Sequence, residues 1–286
     1  MSNDSSSQPV QLPEHFDPTR VGRRRDGGRK KPKTSVPGPA GILPWNPWLA
    51  VVYAVVAFFV AQYVAAIVVI LGGVAIGHSP DAVESWFETS TFANFWFTLA
   101  AEALTFGAIW LFVHKRGRRL RDIGWLRVRW TDPLKALAAL VVYIAAYAVL
   151  LGTVQALFPS LNVDQKQELG FQPGGASSGL WMVFVSLVIL PPIVEETVFR
   201  GFIFTSLRGR TGVITAAIIT SVLFAAAHLQ FGSGKPLLWV AAMDTFVLSL
   251  VLCYLRSKTG SLWPGIFLHG IKNCVAFVVL FVIGVN

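Results

Sequence analysis

Eight ionisable side chains stand inside apolar stretches of this 286-residue chain: Glu102, Glu195, Glu196, Arg200, His228, Asp244, His269 and Lys272. An ionisable group at the centre of a bilayer costs at least about 2.5–3.5 kcal/mol, so such groups face one another or a wet cavity and mark functional sites. Glu196 and Arg200 are four apart on one helix face and can pair. That pairing could simply neutralise both. Glu195 points about 100° away from Glu196 and is free to act as a base. His228 ends the run Phe224-Ala225-Ala226-Ala227-His228, whose small residues allow close helix approach. By itself it reads as a core histidine. His269 and Asn273 share a face and can present two polar groups to one point. Amide hydrolysis needs a water made nucleophilic and donors for the developing oxyanion. A desolvated glutamate suits the first task. Two histidines and an asparagine can hold a metal, or orient the water and donate to the oxyanion.

These side chains are useful only if the elements carrying them converge. Hydrophobic residues make up 54% of the chain and charged residues 14%, against about 25% charged in soluble domains. The expected fold is all-α, a polytopic transmembrane bundle. Seven apolar runs cover residues 48–76, 92–113, 134–158, 179–207, 213–229, 236–255 and 262–283. Each approaches the roughly 20 residues that cross a core about 30 Å thick, and a lipid-exposed backbone must be helical. Taking about 1.5 Å per residue from the inner boundary, Glu195 lies about 18 Å deep, His269 about 13 Å, Asn273 about 19 Å and His228 about 25 Å. Tilt and a kink can absorb that spread. The kink is expected at Pro191 and Pro192, which lack backbone donors.

Residues 1–43 read as a disordered basic tail, 44–134 as N-terminal membrane helices and 135–286 as the domain bearing the site. The tail holds eight Lys/Arg, seven more lie between Lys115 and Arg129, and pairs stand at Arg208/Arg210 and Arg256/Lys258. With the N-terminus in the cytoplasm these clusters all fall inside, and the C-terminus falls outside. The segment Arg121 to Trp130 alternates basic and apolar residues, as an interfacial stretch does. Beside a hydrophobic span, the basic tail suits anionic lipid head groups and not nucleic acid. Cys253 and Cys274 lie in apolar segments and form neither a disulfide framework nor a CxxC metal site. No cleavable signal peptide is visible.

With Glu195-Glu196…Arg200, Phe224…His228 and His269…Asn273 in order on successive apolar helices, the chain resembles the CAAX protease and bacteriocin-processing (Abi) family of intramembrane proteases. That family includes the type II CAAX prenyl endopeptidases. The resemblance implies Glu195 as the water-activating base aided by His228, and His269 with Asn273 as oxyanion or metal-side groups. It implies Glu196 and Arg200 as structural support. It also implies metalloprotease chemistry, with a divalent metal such as zinc held by Glu195, His228, His269 and Asn273, and a membrane-associated or lipidated peptide as substrate. Lys272 departs from the pattern. It could weaken Glu195 as a base, or pair instead with Glu102 or Asp244.

Other readings fit less well. HExxH is absent, which argues against a site-2-type zinc protease. Only Asp244 lies in a span, so a two-aspartate protease lacks its partner. Gly175-Ala176-Ser177-Ser178-Gly179 matches GxSxG but lies in a Gly/Ser-rich loop. Gly232-Ser233-Gly234-Lys235 is too short for a P-loop. A transporter should show broken helices repeated in two halves. A non-catalytic family member acting as an immunity or scaffold factor would carry the same motifs.

Overall fold

The computed structural model describes residues 43–165, 170–171, 179–230 and 236–284, and among these every regular element is helical. α1 is Pro47–Ala75, α2 Pro80–Thr89, α3 Thr91–Lys115 and α4 Asp132–Leu157. α5 runs Leu180–Thr211, α6 Val213–Ala227, α7 Trp239–Thr259 and α8 Trp263–Ile283. Six of these, all but α2 and α6, are long and apolar enough to cross a membrane, and the chain is a multi-pass membrane protein. The tail expected over residues 1–43 lies outside the described residues except for Leu43, which is buried in the bundle. Residues 175–178 and 232–235 also lie outside them.

The fifth apolar run differs from expectation. Its helix, α6, has 15 residues, so it rises about 22 Å and falls short of a core about 30 Å thick. It ends at His228, and Gln230 two residues on takes φ 53°. Arg256 at the end of α7 donates to Thr205 Oγ1 near the end of α5 at 3.1 Å, so those two ends lie together. The start of α7 therefore lies at the other end of the bundle from the start of α6. The amphipathic α2 was not expected. Asn46 and Ser79 cap α1 and α2 with their side chains, and each helix opens on a proline, where the missing N–H has no intrahelical partner to lose.

Lipid offers no hydrophobic drive for helix association, so small residues and satisfied polar groups hold the bundle. α1 buries Ala50, Ala54, Ala57, Ala61 and Ala65 in one stripe and packs along α3. Its outward side chains Val52, Phe59 and Tyr63 are exposed, as lipid contact requires. Trp45 ties the start of the bundle to α5. Its indole N–H donates to Ser206 Oγ at 2.8 Å, and its rings pack on Phe112 and Phe202.

The segment expected at the interface is divided. Leu120–Ile123 forms a 3-10 turn, and Ile123 and Gly124 are buried. Trp125 donates to Thr197 Oγ1 at 3.1 Å, Trp263 donates to the Leu126 carbonyl at 2.7 Å, and the Trp125 and Trp263 rings meet edge to face. Gly124 has φ 109°, and a Cβ there would lie 2.7 Å from the Arg256 guanidinium. Arg121 and Arg127 to Trp130 remain exposed.

Trp45→Ala should cost about 3–5 kcal/mol by removing a buried aromatic together with its hydrogen bond. Reversible denaturation of the purified protein in micelles measures this. A change within error of wild type would show that the Trp45 anchor is dispensable.

Candidate active site

Backbone chemistry on α5 opens the site. Pro191 and Pro192 lack N–H groups, so the Leu187 carbonyl has no donor at either the fourth or the fifth residue onward. The helix is π-wound over Val185–Ile189 and again over Thr197–Ile203. Such insertions recur at functional sites, and the expected kink takes this form. The Asn273 side-chain amide donates to the orphaned Leu187 carbonyl at 2.9 Å. Because a carbonyl only accepts, this bond fixes the amide orientation. One amide N–H and the side-chain oxygen of Asn273 are left for other partners.

Glu196 follows as the buried hub. Its Oε1 accepts from Arg200 at 2.8 Å and faces His269 Nδ1 at 3.2 Å. Glu196 is 1% exposed and Arg200 0%. The pairing expected on one face of the helix is therefore present, and it extends to a second helix. Directed at a carboxylate, His269 Nδ1 carries the hydrogen, which leaves Nε2 facing Glu195 Oε2 at 3.8 Å. That separation exceeds a direct hydrogen bond. Glu195 Oε2 is itself buried and makes no hydrogen bond among the described residues, so its lone pairs are available to a water or a substrate.

His228 stands at the end of the short α6. Its Nδ1 lies 2.8 Å from the Phe224 carbonyl and must be the protonated nitrogen, which leaves Nε2 to act elsewhere. His228 interacts electrostatically with Glu195, His269 and Lys272. Phe224 joins these parts. Its ring lies 4.3 Å beneath the Arg200 guanidinium carbon, 4.7 Å from the His228 ring and 5.9 Å from the His269 ring. The structure thus gathers Arg200, His228 and His269 around one phenyl ring, with Glu195 and Glu196 facing His269, while the Asn273 amide turns toward the proline break.

Lys272 finds its partner in Asp244 at 2.8 Å. Of the alternatives left open, Glu102 and Glu195 are thereby set aside. Asp244 also accepts from the Tyr143 hydroxyl, so α4, α7 and α8 share one polar clamp. Nothing in the local sequence singles out Tyr143 or the contact between Glu196 and His269, since both depend on how helices cross.

The divalent metal calls for three or four converging ligands. Among the described residues, no group of three His, Cys, Asp or Glu side chains is placed to hold one. No step below is routed through a metal.

Residues 177–275 match the family described as "Type II CAAX prenyl endopeptidase Rce1-like". This segment contains all three motifs, and the family resemblance read from the sequence is shown over it. The chain is 34% identical over 99 residues to "Putative membrane peptidase YdiL" of Bacillus subtilis (strain 168), which is 35% of this chain and 36% of that protein. It is 34% identical over 90 residues to "Uncharacterized 24.3 kDa protein" of Escherichia coli, covering 31% of this chain and 39% of that one. The chain thus spans little more than a third of the length of these relatives. No solved structure matches.

Gly265 tests the hub. A Cβ there would lie 2.9 Å from Glu196 Oε2 and 3.3 Å from Leu252, and Arg200 and His269 prevent the carboxylate from yielding. Gly265→Ala should lower stability by about 1–3 kcal/mol, the usual range for overpacking, as read from thermal unfolding in detergent. An unchanged midpoint would show that Glu196 is not tightly held.

Proposed function

Because residues 177–275 match the type II CAAX prenyl endopeptidases of the Rce1-like family, we propose that this membrane protein is an intramembrane endopeptidase. It cleaves a peptide bond of a membrane-associated or lipid-modified peptide that enters laterally from the bilayer. The observation carrying this reading is the Glu195 carboxylate. One of its oxygens is buried without a partner among the described residues, and it lies 3.8 Å from an imidazole nitrogen.

Glu195 Oε2 accepts a proton from a water that His228 Nε2 helps to orient. The resulting hydroxide attacks the scissile carbonyl carbon, and the carbonyl electron pair moves to oxygen. The Asn273 N–H not used by Leu187 is a donor for that oxyanion. His269 is a second donor when Nε2 carries a proton. Glu196 and Arg200 act indirectly by fixing the His269 ring. An enclosed site strengthens each of these contacts relative to water. Asp244 supports Glu195 by engaging the Lys272 ammonium, which would otherwise oppose its work as a base.

The basic clusters support a cytoplasmic N-terminus and an outer C-terminus, with α6 counted as a crossing. The tail, with eight Lys/Arg, suits anionic head groups.

Glu195→Gln and His228→Ala should each lower cleavage of a reporter peptide by about 10²-fold or more, the scale of general acid–base catalysis, with the thermal unfolding midpoint unchanged. Near-normal cleavage by either purified variant would remove this mechanism. A cellular phenotype that survives Glu195→Gln would instead support a non-catalytic scaffold.

A further inference from the structure

Glu102 belongs to none of the three motifs and sits on α3, outside the matched segment. It is the only acidic or basic residue of α3 before His114 and Lys115 at its end. From Lys115, Glu102 lies about 20 Å along the helix, close to the depth of about 18 Å reckoned for Glu195 from the end of its own run. α3 packs against the part of α5 that carries Glu195, and the two carboxyl groups interact electrostatically.

Glu102 is half-buried and forms no hydrogen bond or ion pair among the described residues. Thr98 and Thr105, one helical turn to either side, donate to the backbone carbonyls of Asn94 and Ala101. Arg200 is taken by Glu196 and Lys272 by Asp244. The two carboxyl groups therefore differ in surroundings. Glu195 has an imidazole nitrogen at 3.8 Å and a second histidine within electrostatic reach, whereas among the described residues Glu102 has no cation partner and interacts with the like charge of Glu195. A carboxyl group with no cation inside a span is expensive to ionise, and in its neutral form it is a hydrogen-bond donor. Unequal environments of this kind divide acid from base between paired carboxyl groups.

We propose that Glu102 is a second catalytic residue, which gives the leaving amine its proton while Glu195 takes one from the attacking water. The proposal rests on the endopeptidase reading. Water adds to the carbonyl carbon as its proton passes to Glu195. The C–N bond then breaks with its electron pair on nitrogen, and nitrogen takes the Glu102 proton. The products are an acid and an amine. Proton transfer from Glu195 to Glu102 restores the starting state, so one water is consumed and nothing is oxidised or reduced.

The test compares two reporters of the same peptide, one with a scissile amide and one with a phenyl ester, whose phenoxide departs without needing a proton. For Glu102→Gln, amide kcat should fall about 10²-fold or more with KM nearly unchanged, while ester kcat falls less than about tenfold. Glu195→Gln should lose both activities. Wild-type amide cleavage by Glu102→Gln, or an equal loss on amide and ester, overturns the role of Glu102 while leaving Glu195 as the base. Full activity of Glu195→Gln overturns the parent reading instead. If Glu102→Gln unfolds in detergent, Glu102→Asp keeps the acid at shorter reach. It should show the same contrast between reporters, and an equal loss on both again overturns the role.

Discussion

A carboxylate with 1% of its surface exposed, at the middle of a lipid-embedded bundle, must be matched on every side. Glu196 is matched by Arg200 within its own helix and by His269 from α8. The first contact neutralises the charge and the second joins two helices at a fixed rotation. Removing one partner of a buried pair leaves the other uncompensated, at a cost of about 3–5 kcal/mol, so the site and the helix crossing stand together. Gly265 and Phe224 serve the same constraint. The first leaves room for Glu196 Oε2, and the second lies beneath Arg200 and between the two imidazoles.

Around this hub the bundle gives up helical regularity at several points. Pro191 and Pro192 release a carbonyl that Asn273 recovers, α5 winds through two π segments, and α6 ends after 15 residues at His228. Irregular backbone at membrane depth is tolerated where protein or a polar cavity satisfies it. Each irregularity lies beside a residue with a role in the proposed reaction. Polar groups that would destabilise an ordinary span are held here by groups on neighbouring helices.

The three motifs, the membrane-spanning character and the pairing of Glu196 with Arg200 were all legible in the chain. Those features depend on composition or on side chains four residues apart along one helix, where geometry is set by the helical repeat. The proline break was also legible, because a missing N–H is a covalent fact. Fifteen residues as the length of α6, and the docking of Ile123 and Gly124 into the bundle, were not. Both follow from contacts with distant elements, such as Arg256 against Gly124.

Sequence alone therefore determined that ionisable groups are buried in a membrane, which residues they are, and which of them share a helix face. Only the tertiary structure decided that Glu196 also binds His269, that Lys272 turns to Asp244, and that α3, which carries Glu102, packs against the part of α5 that carries Glu195. The reason is the same in each case. Spacing along one helix follows from a fixed rise and rotation per residue, but a meeting between helices depends on their crossing and rotation. Those are set by the joint packing of side chains far apart in the chain.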